Sequence, residues 1–440
     1  MAGVQLPARV LALLGQRDFR RFWAAQSVSY LGDQVTVIAL PLVAVLAVHA
    51  TTAQIGYLAT AATVPMLLFG VHAGGWVDRC RRRGRVLVSA DLTRVLLLAS
   101  IPVAYALGVL SMAQLYAIAA MAGTAAVLFD LSAATAVPAL VPARQRDAGN
   151  SLLRGSYSFS WVAGPGLGGL LVQLVTAPGA IFFDAASFLV SAGLIRTVRI
   201  PQAASERDPR PGVAAGMRFI ARDPVLRPYL TCCTVLSLCY AIYFTLLIPF
   251  AVRDLHLSSA QIGLAVGTGA AGALAGSVLT VPVTRRLGVG HALILGSLVY
   301  AAALFAVPLA PRAHPWAACA TIAAAELMSG FGLMLNNING LSMQQTVTPS
   351  PMLGRVSGAS MAGSYGARAL AGLAAAAIGT RLGLAPAIAL AAALGVASIT
   401  ILIASPVRTM RQLPVSGAES RRPLAERECG LPYAQRPEEN

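Results

Sequence analysis

An all-α polytopic membrane protein with twelve transmembrane helices is the fold class this sequence predicts, and three observations predict it. Of 440 residues, 57% are hydrophobic and 11% charged, with a mean hydropathy of +0.70, whereas a soluble domain carries roughly 25% charge. The apolar residues fall into continuous runs long enough to cross a hydrocarbon core of about 30 Å, which needs roughly 20 residues per helix. The runs do not alternate in polarity, so they read as helices and not as barrel strands. Finally, the basic residues sit between the runs in an alternating, one-sided pattern.

Taken in order, the expected spans are 22–48, 54–77, 86–108, 113–140, 154–175 and 179–197, then 227–251, 259–284, 290–310, 316–342, 356–380 and 384–405. All 33 basic residues are arginine, and the formal net charge is +16. With the N-terminus inside, 28 arginines fall on the inner side and only Arg253, Arg312 and Arg381 on the outer side; Arg94 and Arg368 lie within spans. That bias predicts a multi-pass protein of the cell (inner) membrane with both termini cytoplasmic. The arginines form short clusters and no single patch, so nucleic acid is not an expected partner.

The polar stretch around Glu206-Arg207-Asp208-Pro209 divides the spans six and six. The expected organisation is therefore an N-terminal six-helix bundle (1–197), a cytoplasmic linker (198–226), a C-terminal six-helix bundle (227–405) and a disordered cytoplasmic tail (406–440). Residues 212–222 fit a short helix lying on the inner membrane surface. No small-residue cleavage site follows the first apolar segment, so it is expected to be retained.

The composition of reactive residues argues against an enzyme. Six cysteines show no metal-ligand spacing and read as small apolar packing residues. The histidines are scattered, no His-Glu-x-x-His occurs, and the serines lack a paired base. Neither a metal nor a cofactor is expected.

Two motifs carry more. Gly74-x-x-x-Asp78-Arg79-x-x-Arg82-Arg83, between spans two and three, cannot cross lipid and marks a cytoplasmic turn. It resembles the cytoplasmic signature loop of the major facilitator superfamily, with Arg81 in place of the usual second glycine. The resemblance implies a conformational gate: Gly74 lets helices approach, and Asp78 with Arg79 bridges helix ends in one state. The equivalent turn of the second half, Thr284-Arg285-Arg286-Leu287-Gly288, keeps the basic residues but has Thr284 at the acid's place. Gly164-Pro165-Gly166-Leu167-Gly168-Gly169, inside span five, resembles the Gly-Pro-x-x-Gly-Gly element associated with exporters of that superfamily; generic small-residue packing also fits it.

Wider stretches are similar to the enterobactin-exporter-like and macrolide-efflux-like branch. They include Asp18-Phe19-Arg20-Arg21-Phe22-Trp23, Leu31-Gly32-Asp33-Gln34, Asp184-Ala185-Ala186-Ser187-Phe188-Leu189 and Arg222-Asp223-Pro224. The chain departs from the pattern at Gln344 and at Ala369-Leu370-Ala371, and no arginine lies between 113 and 140. The resemblance implies the major facilitator fold, with spans one, four, seven and ten lining a central cavity.

Charges inside spans are costly, about 2.5–3.5 kcal/mol each at a helix centre. Asp33 lies mid-span one, Asp130 in the inner half of span four and Glu326 mid-span ten. An acid withdrawn from water can take and release a proton near neutrality, so these three are the candidates for proton coupling. Asp33, without an evident local partner, ranks first. Arg368 lies at a depth similar to Glu326, and it fits either a neutralising pair with that acid or a substrate or internal polar contact. Asp91 and Arg94 are three residues apart and fit a local pair. Asp184 fits the favourable N-terminal region of its helix. Asn336, Asn337 and Asn339 fit either substrate contact or helix-to-helix hydrogen bonds. Trp161, Tyr240, Tyr243 and Phe244 fit either stacking on a bulky substrate or packing.

The expected function is a monomeric secondary transporter in the lipid bilayer, exporting a small amphipathic molecule of drug, macrolide or siderophore type by alternating access, with protons moving the other way. Facilitated or proton-coupled uptake of a metabolite is the nearer alternative, and a transport-inactive membrane sensor or scaffold is the alternative of another class.

Overall fold

The computed structural model describes residues 12–69, 83–201 and 213–411. Gly74, Asp78, Arg79 and Arg82 of the signature-like loop lie outside these residues, and Arg83 opens the helix that follows.

The first half contributes α1 (Arg17–Leu42), α2 (Thr52–Phe69), α3 (Arg83–Ala106), α4 (Met112–Leu140), α5 (Arg146–Val175) and α6 (Ala177–Arg196). A short helix, α7 (Val213–Arg222), precedes the second half: α8 (Leu226–Arg253), α9 (Ser259–Leu287), α10 (Val289–Ala303), α11 (Pro315–Val347), α12 (Leu353–Leu382) and α13 (Leu384–Ile403). Among the described residues, 11 helices are long and apolar enough to cross a membrane. The remaining long helix, α12, has 30 residues; its alanines and glycines, with Arg355, Arg368 and Arg381, make it less apolar.

The halves repeat one packing scheme. In the first, α1 packs on α5 and α6, α3 on α4 and α6, and α2 on α4. In the second, α8 packs on α12 and α13, α10 on α11 and α13, and α9 on α11. Two seams join the halves, α2 against α12 and α5 against α9. Each seam closes on glycine. A Cβ on Gly263 would lie 2.8 Å from the Gly169 Cα, and a Cβ on Gly56 would lie 2.7 Å from the Ala376 Cβ beside Gly372, so only bare backbone allows this approach.

A repeated turn sets these glycines in register. His49-Ala50-Thr51-Thr52-Ala53-Gln54-Ile55-Gly56 and His256-Leu257-Ser258-Ser259-Ala260-Gln261-Ile262-Gly263 follow α1 and α8 respectively. Both histidines adopt φ of 52°. The residue after each closes back on the preceding helix, Ala50 N–H to the Ala44 carbonyl at 2.8 Å and Leu257 N–H to Ala251 at 2.9 Å. Thr51 and Ser258 then cap the next helix reciprocally with Gln54 and Gln261. Hydropathy and charge, which locate the spans, do not pick out this repeat.

With the end where α1 begins called the near end, the apolar cores divide sharply. Toward the far end one cluster combines both halves, including Ile38, Leu42 and Ile101 with Leu246, Phe250 and Ile388. Toward the near end each half has its own: Phe19, Phe22, Leu87 and Phe129 in the first, Leu226, Tyr229, Leu293 and Met343 in the second. Exposed apolar side chains such as Leu96, Leu174 and Val278 mark the outer face that lipid covers.

At the near end α7 packs against α12, with Gly216 against the Arg355 carbonyl. Of the tail expected to be disordered from Pro406 onward, the described residues 406–411 pack against the second half. Val407 is buried, and Gly290 N–H donates to the Met410 carbonyl at 2.8 Å.

Candidate functional site

Between the halves lies a cavity of about 650 Å³. Asp33, Asp130 and Glu326, the three acids singled out in the sequence, all line it, together with Asp184, Arg94 and Arg368. Trp161, Tyr240 and Phe244 supply aromatic wall.

The first-half wall is built on Arg94 of α3. Its guanidinium, 3% exposed, stands 3.9 Å from the Asp33 carboxylate of α1 and 4.0 Å from Asp91 on its own helix. The rings of Phe129 and Phe188 cover it at 5.2 and 4.7 Å, so the cation is held by π faces as well as by charge. The expected Asp91–Arg94 pair is present. The expectation that Asp33 stands alone is corrected: its partner comes from a helix distant in sequence. Two carboxylates thus share one guanidinium. If Asp33 takes a proton, a neutral Arg94–Asp91 pair remains and no buried charge is stranded. Asp33 keeps 44% of its side chain open to the cavity, whereas Asp91 has none.

Asp184 is also reassigned. It lies two turns into α6, only 1% exposed, and accepts hydrogen bonds from Thr36 Oγ1 and from Ser187 Oγ, the latter at 3.1 Å. Gly32 makes this meeting of α1 and α6 possible, since a Cβ there would fall on Ser187 Oγ and Asp184. Helix position alone therefore does not account for this acid.

On the second-half wall, Glu326 is 2% exposed and accepts a hydrogen bond from Tyr243 O–H at 2.7 Å. The expected Glu326–Arg368 ion pair does not form among the described residues. Arg368 is exposed to the cavity and lies near the Tyr365 ring, at 5.9 Å. Tyr243, fully buried, belongs to the packing around Glu326 and does not face the cavity as a stacking surface.

Two of the asparagines are helix-to-helix ties. Asn336 donates to Ser297 Oγ at 2.7 Å and accepts from Tyr229 O–H at 3.3 Å. Asn339 accepts from Thr284 Oγ1 at 2.9 Å, which gives a role to the threonine standing where the second-half turn lacks an acid. Asn337 is exposed and joins neither network.

The Gly-Pro-x-x-Gly-Gly element works on two faces. Gly164 and Gly168 admit α1 at Gln34 and Val35, while Gly169 admits α9 at Gly263. Pro165 lines the cavity, and its carbonyl is among the atoms that crowd Gly263. The element therefore couples the cavity wall to a seam between halves.

Comparison with known proteins places this architecture. Residues 22–372 match the family model described as Major Facilitator Superfamily. The chain is 30% identical over 300 residues to the multidrug efflux pump Tap of Mycobacterium tuberculosis, covering 63% of this chain and 69% of that one. It is 27% identical over 294 residues to the Tap pump of Mycolicibacterium fortuitum, covering 63% and 71%. Among solved structures, a bacterial homologue of the iron transporter ferroportin in an inward-facing state matches with a TM-score of 0.71 at 18% identity, covering 88% of this chain and 98% of that one. A D323A mutant of the nucleoside transporter NupG gives 0.71 at 11% identity, covering 88% and 99%. With two packed six-helix halves around a central cavity and a family match along most of its length, the chain belongs to the Major Facilitator Superfamily: it is a membrane transporter and not an enzyme.

Proposed function

We propose that this transporter exports a small amphipathic molecule across the cell membrane by alternating access, driven by protons entering in exchange. The observation that carries the proposal is the Asp33–Arg94–Asp91 cluster at the cavity wall. It offers one cavity-facing acid that can change charge while its buried neighbours stay neutralised. Protonation of Asp33 would loosen its hold on Arg94, which ties α1 to α3, and bias the equilibrium between the two cavity openings. Moving one charge through the membrane potential supplies about 2.3 kcal/mol per 100 mV. Export is favoured over uptake by the efflux-pump relatives and by the α5 glycine element.

The near end, where the arginines cluster, is the cytoplasmic side in this reading, with both termini there. The cavity then faces the cytoplasm, ready to load. Asp78 and Arg79 would close that end in the opposite state, and Asp78→Asn is expected to abolish transport while leaving membrane insertion intact.

The test is dye accumulation in inverted membrane vesicles under an imposed pH gradient. Native protein should concentrate an exported dye, and Asp33→Asn should reduce it to passive equilibration. An Asp33→Asn protein that still accumulates dye against its gradient sinks the coupling mechanism.

A further inference from the structure

The charges that face the cavity do not all remain available to a ligand. Asp33 is matched by Arg94; Asp184 is 1% exposed; Glu326 is 2% exposed and bonded to Tyr243. Two charged side chains differ: Asp130 on α4 and Arg368 on α12 are exposed, line the cavity, and have no ion-pair partner among the described residues. They have opposite sign and stand on opposite halves. Tyr157, Trp161, Tyr240 and Phe244 line the same cavity as both charges, so it offers aromatic wall together with one unpaired charge from each half.

We infer that the ligand is a dipolar aromatic molecule, with its cationic end at Asp130, its anionic end at Arg368 and its flat body along Tyr157 and the neighbouring aromatic side chains. This rests on the reading of the cavity as the transport site and narrows the amphipathic class to zwitterions. The geometry also gives the ligand a mechanical role. A molecule held by one charge on each half ties the halves together across the cavity, which an equally apolar molecule carrying one charge does not do. Loading and closure are then the same event.

Three dyes built on one xanthene core separate the possibilities: zwitterionic rhodamine B, its cationic ester analogue rhodamine 6G, and anionic fluorescein. Binding to native protein in nanodiscs, read by fluorescence anisotropy at one fixed pH, needs no gradient and is independent of coupling or direction. Rhodamine B should bind about tenfold more tightly than either of the others, the worth of one charge-assisted contact. In Arg368→Gln the advantage of rhodamine B over rhodamine 6G should disappear, and Arg368→Lys should restore it. In Asp130→Asn its advantage over fluorescein should disappear. Size-exclusion chromatography establishes that each variant is monodisperse. Rhodamine 6G binding native protein as tightly as rhodamine B overturns the inference. So does an unchanged ratio in monodisperse Arg368→Gln, or binding of none of the three dyes. If the dye ratios behave as expected while vesicle transport ignores the pH gradient, the dipolar site stands and the coupling mechanism falls.

Discussion

At the far end of the molecule, side chains from both halves merge into one apolar core, whereas at the near end each half keeps a core of its own. The glycine seams belong to the first region, as do the Arg253 contacts to the Ala50 carbonyl and, at 3.4 Å, to Thr52 Oγ1. The charges belong to the boundary between the two. The difference separates the packing that joins the halves from the charges that line the cavity. Apolar packing and bare backbone close one end, and ionisable groups sit where that packing stops.

The largest expected effect is at the boundary. Arg94→Leu leaves Asp91 buried without its counter-ion, a cost of about 3–5 kcal/mol. Folded, monodisperse protein should be nearly lost in fluorescence-detected size-exclusion chromatography. The double substitution Asp91→Leu with Arg94→Leu should recover much of it, and full yield from the single variant would mean that charge pairing does not hold this region together. Next comes the seam. Gly263→Leu overpacks α9 against α5 at about 1–3 kcal/mol, which shifts a two-state equilibrium by about five- to 150-fold. Spin labels on Ala47 and Asp254 should then report longer far-end distances, and an unchanged distribution would show that the seam tolerates bulk. The smallest effect is expected from Thr60→Val. It removes a 3.3 Å hydrogen bond from Thr60 Oγ1 to the Ala369 carbonyl across the α2–α12 seam, worth about 0.5–1.5 kcal/mol. The same distance measurement should show only a minor broadened population.

Much of this is legible in the sequence for identifiable reasons. Span positions follow from apolar run length, so the expected spans fall on the long helices to within a few residues, residues 70–77 of the second span lying outside the described residues. The Asp91–Arg94 pair is legible because three residues place two side chains on one helix face. Asp33 with Arg94, and Glu326 with Tyr243, are not, since each partner arrives from another helix and no spacing encodes the meeting. The His-x-Ser/Thr-Ser/Thr-Ala-Gln-Ile-Gly repeat is fully readable once the two halves are aligned residue by residue, and its last position in each half, Gly56 or Gly263, is a seam glycine.

The split between one shared core and two separate ones also has an electrical consequence. In the alternating-access reading proposed above, water entering the cavity from the near end would carry that side's potential inward, and the voltage across the membrane would fall mainly over the apolar far half. Asp33, which lines the cavity, would then sit electrically close to the near side. Were the opening to change ends as proposed, the same carboxyl would pass from one side's potential toward the other's.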